Sequence, residues 1–376
     1  MKREEWETVR LGDVFDLQMG KTPARDVLEY WNNGDNKWVS ISDLSTYSKY
    51  VGETRETISN LGVEKSGIKI VPSNTVIMSF KLSIGKTAIT TEEIYTNEAI
   101  MAFIPKGAVV YNSAYLYYLL SGVKWDKGVS KAVKGKTLNK QSISNYSVPL
   151  PPLDIQRQIA DVLDKVTELI DLRKKQLEKL DELVKARFVE LTVSTDTVQT
   201  RMGDIATYLN GYAFKPVQWE DSGYPIIRIQ NLNNENAPYN YYSGKLPDKY
   251  LIHNGDVLVS WATHLEAYIW KGEEAWLNQH IFKVVFDKIE VDKTYFVYAC
   301  EEALRQAFRN AHGFKPTMEH IKKADFDSAV VQLPNIQTQK KFSTFVEQTN
   351  KAKAPIQQSL ETLETLKKSL MQEYFG

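Results

Sequence analysis

The chain is written twice, and this repeat constrains its fold more than any other feature. Arg10-Leu11-Gly12-Asp13-Val14 returns as Arg201-Met202-Gly203-Asp204-Ile205, and Gly20 returns as Gly211. Ile41-Ser42-Asp43-Leu44 matches Ile229-Gln230-Asn231-Leu232, and Thr75-Val76-Ile77-Met78-Ser79-Phe80 matches Asp256-Val257-Leu258-Val259-Ser260-Trp261. Asn97-Glu98-Ala99-Ile100 matches Asn278-Gln279-His280-Ile281, and Ile155-Gln156-Arg157-Gln158 is aligned with Ile336-Gln337-Thr338-Gln339. The offset drifts from 191 to 181 while the order is kept, so only loops change length. Chance explains one such pair, not five in register.

Each copy follows one plan. Short runs such as Lys37-Trp38-Val39-Ser40-Ile41 and Thr75-Val76-Ile77-Met78-Ser79, bounded by turn residues, read as strands. A proline-bearing stop follows, Val148-Pro149-Leu150-Pro151-Pro152 in copy one and Val331-Gln332-Leu333-Pro334 in copy two, and each opens a long helix. In the first helix Leu163, Ile170, Leu177, Val184 and Leu191 lie seven apart, with Ile159, Val166 and Leu180 between them. In the second, Phe342, Thr349, Ile356, Leu363 and Leu370 do the same. That is the narrow stripe of a coiled-coil seam. Pro355 is expected to kink or split the second helix, because it lacks a backbone donor and crowds the preceding turn. Each helix could bury its stripe on its own module. The topology favours the two helices packing on each other, antiparallel, as a bar with a pseudo-twofold axis.

The fold class expected is α+β. Two repeated α/β modules, residues 1–150 and 196–333, alternate with helices at 151–195 and 334–376. Lys plus Arg and Asp plus Glu each number 47, so the chain is formally neutral and not a polycationic coat for nucleic acid. The single cysteine, Cys300, suits a reducing compartment, and no apolar run approaches the ~18 residues of a membrane span. A cytoplasmic protein without a membrane partner is expected.

Catalytic signatures are missing. Gly20-Lys21-Thr22, Gly85-Lys86-Thr87 and Gly135-Lys136-Thr137 invite a phosphate-loop reading. A Walker loop needs glycine five residues earlier, where Phe15, Phe80 and Ser130 stand instead. No His-Glu-x-x-His pair, nucleophile elbow, dinucleotide fingerprint or Asn/Asp-Pro-Pro-Tyr run occurs. The catalytic and metal residues expected are therefore none.

What the chain offers is binding. Between Lys124 and Lys140 six lysines, Lys131, Lys134 and Lys136 among them, face only Asp126. Residues 304–323 carry Arg305, Arg309, Lys315, Lys322 and Lys323 against Glu319 at the corresponding place in copy two. A basic loop alone is usually a solvated surface; the same loop in both copies favours phosphate contacts beside base readout. Trp38-Val39-Ser40 is set against Ile227-Arg228-Ile229, and Phe80-Lys81-Leu82-Ser83 against Trp261-Ala262-Thr263-His264. Equal scaffolds with unequal polar side chains suit two readers of two different half-sites. The candidate DNA contacts are Lys21, Trp38, Ser40, Lys81, Lys86, Lys131, Lys134, Lys136 and Thr137 in copy one, with Arg228, Gln230, Asn231, Trp261, His264, Lys315 and Thr317 in copy two.

Together these features resemble the specificity subunit of Type I restriction-modification systems. The resemblance rests on Leu11-Gly12-Asp13, Gly20-Lys21-Thr22-Pro23 and the run from Val148 to Ala160, repeated in Met202-Gly203-Asp204 and from Leu333 to Gln339. It implies a non-catalytic protein whose two target-recognition domains each read half of a split site in double-stranded DNA. Its helices would set the spacing and dock two methyltransferase subunits. Motor-endonuclease (restriction) subunits would join them. No cofactor is expected on this chain: S-adenosylmethionine, ATP and Mg belong to the partners. A coiled-coil scaffold that binds only proteins is the alternative, and the paired basic stretches argue against it. A single-chain restriction enzyme is disfavoured by the missing motifs.

Overall fold

The computed structural model describes residues 6–47, 49–81, 83–107, 110–125, 130–132, 135–193, 196–234, 236–262, 265–312 and 321–376. They fall into two units, one of residues 1–174 with 358–376 and one of residues 175–357. In unit 1, β1 (Thr8–Arg10) pairs with β12 (Ser147–Pro149) at the start of the helix. The central sheet runs β2 (Phe15–Met19), β9 (Ile100–Pro105), β6 (Val76–Ser79), β7 (Thr87–Thr90), β4 (Tyr50–Val51). Its β6 and β7 bury every residue, so they read as continuous apolar runs rather than alternations. A smaller sheet runs β5 (Glu56–Ile58), β3 (Trp31–Val39), β8 (Tyr95–Thr96), with β3 and β8 parallel. A separate hairpin joins β10 (Ser130–Ala132) to β11 (Gly135–Thr137). The helices are α1 (Leu11–Val14), α2 (Ile41–Thr46), α3 (Asn60–Ser66), α4 (Ser113–Gly122), α5 (Lys140–Ser144) and the long α6 (Leu153–Thr192).

Unit 2 repeats this order. β13 (Val198–Arg201) pairs with β22 (Val330–Leu333), and the central sheet runs β14 (Thr207–Asn210), β21 (Ile281–Val285), β18 (Val257–Ser260), β19 (Glu266–Ile269). The smaller sheet runs β16 (Asn240–Tyr242), β15 (Tyr224–Ile227), β20 (Ala275–Leu277), β17 (Leu251–Ile252), again with a parallel pair, β15 and β20. Helices α7 (Met202–Ile205), α8 (Ile229–Asn233), α9 (Lys293–His312), α10 (Lys323–Ser328) and α11 (Ile336–Phe375) complete it. Gly20 and Gly211 recur because the backbone there runs against the carbonyls of Thr96 and Asn278, which leaves no room for a Cβ. No described helix is long and apolar enough to cross a membrane.

A glutamine fastens each long helix to its sheet domain. Gln156, buried in the first turns of α6, donates to Pro151 O (2.8 Å) and accepts from Asn112 N (2.8 Å). Gln339 does the same at α11, donating to Pro334 O (2.8 Å) and accepting from Asp292 N (3.0 Å). Gln156 therefore corresponds to Gln339, not to Gln337, and the sequence alignment of these helix starts is two residues out. Tyr115 and Tyr295 reinforce the match, each donating to a carbonyl of the preceding strand, Pro149 O and Gln332 O.

The heptad expectation holds in both units. Ile159, Leu163, Val166, Ile170 and Val184 are buried on α6 while Leu177, Leu180 and Leu191 are half-buried. On α11 Phe342, Val346, Thr349 and Leu360 are buried, and Ile356, Leu363 and Leu370 half-buried. In unit 1 the end of α11 runs antiparallel to the first half of α6: Arg173 Nε donates to Ser359 Oγ (3.2 Å), and Leu370, Met371 and Phe375 join the core that holds Ile159 and Leu163. In unit 2 Phe188 of α6 packs on Phe342 of α11 at 5.7 Å, and Lys353 pairs with Asp181. Pro355 does not split α11, which continues through it. The ring is exposed, off the seam, so the lost donor lies on the solvent side.

Candidate nucleic-acid interface

In unit 1 the candidate surface gathers where β3 and β6 end. Ser40 caps α2, accepting from Asp43 N (3.1 Å), while buried Asp43 accepts from Ser40 N (2.9 Å). Asp43 thus fixes the loop and leaves Ser42 and Ser45 outward, each held by a cation. Arg55 donates to Ser42 Oγ (2.9 Å) and Lys86 to Ser45 Oγ (2.7 Å). Lys81 and Lys86 bracket the loop that leaves β6 at Phe80 and returns at β7. Leu138 N donates to Phe80 O (3.0 Å), so the chain leaving the β10–β11 hairpin is tethered to that same loop. The hairpin register sets Lys131 directly opposite Lys136, with Thr137 opposite Ser130. Thr137 and Lys81, far apart in sequence, thereby lie next to a shared backbone bond.

Unit 2 builds the same place with other side chains. Asn231 Oδ1 accepts from Arg228 N (3.1 Å), as Asp43 does from Ser40 N. Ile321 N donates to Trp261 O (3.1 Å), as Leu138 N does to Phe80 O. Arg228, Gln230, Asn233, Gln279 and His280 line a cleft of about 350 Å³ at the start of α8. Arg228 has its guanidinium 5.0 Å from the Trp219 ring centroid and 3.3 Å from Asn240 Oδ1. Trp261 is half-buried, stacked on Phe282 and edge-on to His280.

Several sequence candidates find other places. Trp38 is a core residue, fully buried edge-on to Trp31, with its indole N–H bonded to Lys21 O (3.0 Å). Asn231 is buried and spends its amide on Ala237 O and Pro238 O, so it shapes a turn rather than facing a ligand. Ser40 corresponds to Arg228 and Val39 to Ile227, since Val39 O and Ile227 O both accept from the asparagine of the matching turn. The sequence pairing of Trp38 with Ile227 was one residue out, and one residue turns every side chain to the other face. Lys21 is exposed on a different surface, donating to Ser66 O (3.0 Å) beside α3. Lys134, His264, Lys315 and Thr317 lie outside the described residues. Two residues went unnoticed in the sequence, Arg55 and Ser45; nothing in their spacing marks them, because only the fold brings them to α2.

The basic stretch of copy two is weaker than its sequence count. Arg305 pairs with Glu301 (3.9 Å) and Glu302 (3.1 Å), Arg309 with Glu302 (3.4 Å), and Lys323 with Asp327 (2.5 Å). The acids that balance it sit one or two turns away on the same helices, Glu301 and Glu302 on α9 and Asp327 on α10, just outside residues 304–323.

Residues 3–182 and 195–365 each match the family described as Type I restriction modification DNA specificity domain. The chain belongs to that family and carries its domain twice. It is 27% identical over 255 residues to the type I restriction enzyme MjaIX specificity subunit of Methanocaldococcus jannaschii, covering 61% of this chain and 58% of that one. It is 27% identical over 187 residues to the EcoBI specificity subunit of Escherichia coli, covering 48% and 39%. The chain spans about half the length of these relatives. The fold matches the S subunit of a type I system from M. genitalium, with a TM-score of 0.56 at 12% identity over 99% of this chain and 96% of that one. It also matches a chain from a structure addressing complex assembly and conformational transition of the type I R-M system, with a TM-score of 0.62 at 15% identity over 98% and 97%.

Proposed function

We propose that this chain is the DNA-reading subunit of a type I restriction-modification complex, and that each repeat reads one part of a bipartite double-stranded target. The observation that supports this reading is a constant frame with variable tips. The backbone bonds that hold the loop after β6 recur after β18, yet Ser40, Ser42 and Lys81 in one repeat give way to Arg228, Gln230 and Ala262 in the other. Lysines at paired register positions of a two-stranded ribbon suit phosphates, while Arg and Gln side chains can make bidentate bonds to base edges. The chain performs no chemistry itself. Two methyltransferase subunits, supplying S-adenosylmethionine, and motor-endonuclease subunits, using ATP and Mg, dock on α6 and α11. Exchanging residues 196–333 for those of a relative with another target, then sequencing the methylated sites of cells carrying the complex, tests the reading. One half of the motif should change; a change in both halves or in neither overturns it.

A further inference from the structure

The central sheet of unit 1 ends on a strand, β4, that has no counterpart among the described residues of unit 2. In unit 1, Ile89 N and Thr91 N donate to Lys49 O (2.8 Å) and Val51 O (3.0 Å), which adds β4 parallel to β7 and buries Ile89. The Lys49 ammonium then reaches Asp164 of α6 at 2.5 and 2.6 Å, and Tyr118 OH donates to the same carboxylate at 2.6 Å. Lys49 is thus set among the rings of Tyr117 and Tyr118, 5.9 and 5.2 Å away.

Unit 2 keeps the walls of this slot without its occupant. Nine residues separate α2 from β5, whereas only six separate α8 from β16. Among the described residues β19 is the edge of its sheet. Trp270 bonds inward, to Asp256 O (2.8 Å) and from Gly255 N (2.7 Å), and alternation turns the N–H groups of Ile269 and Lys271 outward, as in Ile89 and Thr91. Ile269 stands where Ile89 stands, opposite Val257 as Ile89 is opposite Val76, but it is only half-buried. By the match of Tyr115 to Tyr295 and Gln156 to Gln339, Tyr298 takes the place of Tyr118 and Glu347 that of Asp164. Between this edge and helices α9 and α11 lies a groove of about 660 Å³ lined by Ile269, Lys271, Val297, Tyr298, Thr344 and Glu347. Asp292 and Lys340 also face it, but Asp292 caps α9 and bonds Ser343, and Lys340 pairs with Glu290. Among the described residues Glu347 is held by Lys351 (2.6 Å), an exposed pair one turn on that contributes little and exchanges readily.

We propose that this groove receives an extended, lysine-bearing segment of a partner polypeptide, which adds parallel to β19 and sets its lysine against Glu347 and Tyr298. The sheet edge supplies register through main-chain bonds, and the carboxylate supplies selectivity for the cation. Unit 1 shows the chemistry of the fit, because its own Lys49-Tyr50-Val51 fills the matching slot. The test uses the full chain and the acetylated, amidated peptide Tyr-Ser-Lys-Tyr-Val-Gly-Glu-Thr, the sequence of residues 47–54. At about 5 mM, several times the ~1 mM dissociation constant expected of so short a strand, it should slow amide exchange across residues 266–271. Glu347→Lys should weaken binding by about tenfold or more, and a peptide with glutamate in place of its lysine should bind this variant better than the parent. That charge exchange needs no DNA and is independent of any loss of folding. No protection of 266–271, or equal binding to parent and Glu347→Lys, overturns the proposal. So does protection that grows with chain concentration alone, which assigns the groove to a second copy.

Discussion

Replacing Gln156 with leucine removes the clamp between α6 and its sheet domain while nearly conserving volume. Two groups lose their partner: Pro151 O, which is buried, and Asn112 N, which is partly so. A fully buried orphan costs about 1–3 kcal/mol and a partly wetted one less, and leucine recovers some apolar burial. The net loss expected is about 2–3 kcal/mol, or roughly thirty- to a hundred-and-sixty-fold in the opening equilibrium. Amide exchange of the full chain reads it directly: the amides of α4, which open with unit 1, should exchange faster by that factor. Gln339→Leu should do the same to α9 through Asp292 N and Pro334 O. Gln156→Glu adds a sign. Its carboxylate can accept from Asn112 N but repels Pro151 O, and only the protonated form can donate there. The folded-state pKa is then raised, so this variant is weakest above that raised value and regains stability as pH falls through it. Acceleration of less than threefold in α4, or one confined to the first turn of α6, would refute the clamp.

Further outcomes follow from the seam and the hairpin. Lys367, at the seam position of α11 that matches Val184 of α6, is held below its ordinary pKa by burial, partly offset by Asp171. Lys367→Leu should stabilise unit 1 in urea titrations, and the gain should shrink as pH rises towards 10.5, because the parent then sheds its buried charge. Pro355→Ala restores a donor in the middle of α11 and should raise stability by up to about 3 kcal/mol; no gain would mean that the helix has already found another partner for the freed carbonyl. Lys131→Ala and Lys136→Ala should each weaken duplex binding by the assembled complex irrespective of sequence and flatten the log–log salt dependence by about one unit. A sequence-selective loss would make these lysines base readers instead.

The repeat, the strands and the heptads were legible because each is a periodic signal: matched segments, alternation or apolar runs, and a seven-residue stripe. The failures are aperiodic. Gln156 was set against Gln337 because Ile-Gln recurs there, whereas the fold selects the glutamine five residues beyond Pro151 or Pro334, where its amide reaches a carbonyl and an amide at once. Trp38 reads as a DNA contact in the sequence, yet it is buried against Trp31 and its indole N–H has a carbonyl partner. Asn231 reads as a DNA contact too, yet a short side chain at the third position of a turn bonds its own backbone first. The partners of Arg305 and Arg309 lie one and two turns back on α9, so a linear charge count misses them. Arg55 and Lys86 meet α2 only once the sheets are paired.

The loop after β6 is anchored where it starts by Phe80 N to Ala99 O and Leu138 N to Phe80 O, and the loop after β18 by Trp261 N to His280 O and Ile321 N to Trp261 O. All four bonds join main chain to main chain. Such anchors are indifferent to side-chain identity, so a substitution on the loop leaves them in place. Inheritance can therefore vary the tips without renegotiating the frame, and a single recombination between relatives can exchange one repeat whole. A lineage built this way changes what it recognises by small steps, each of which still folds.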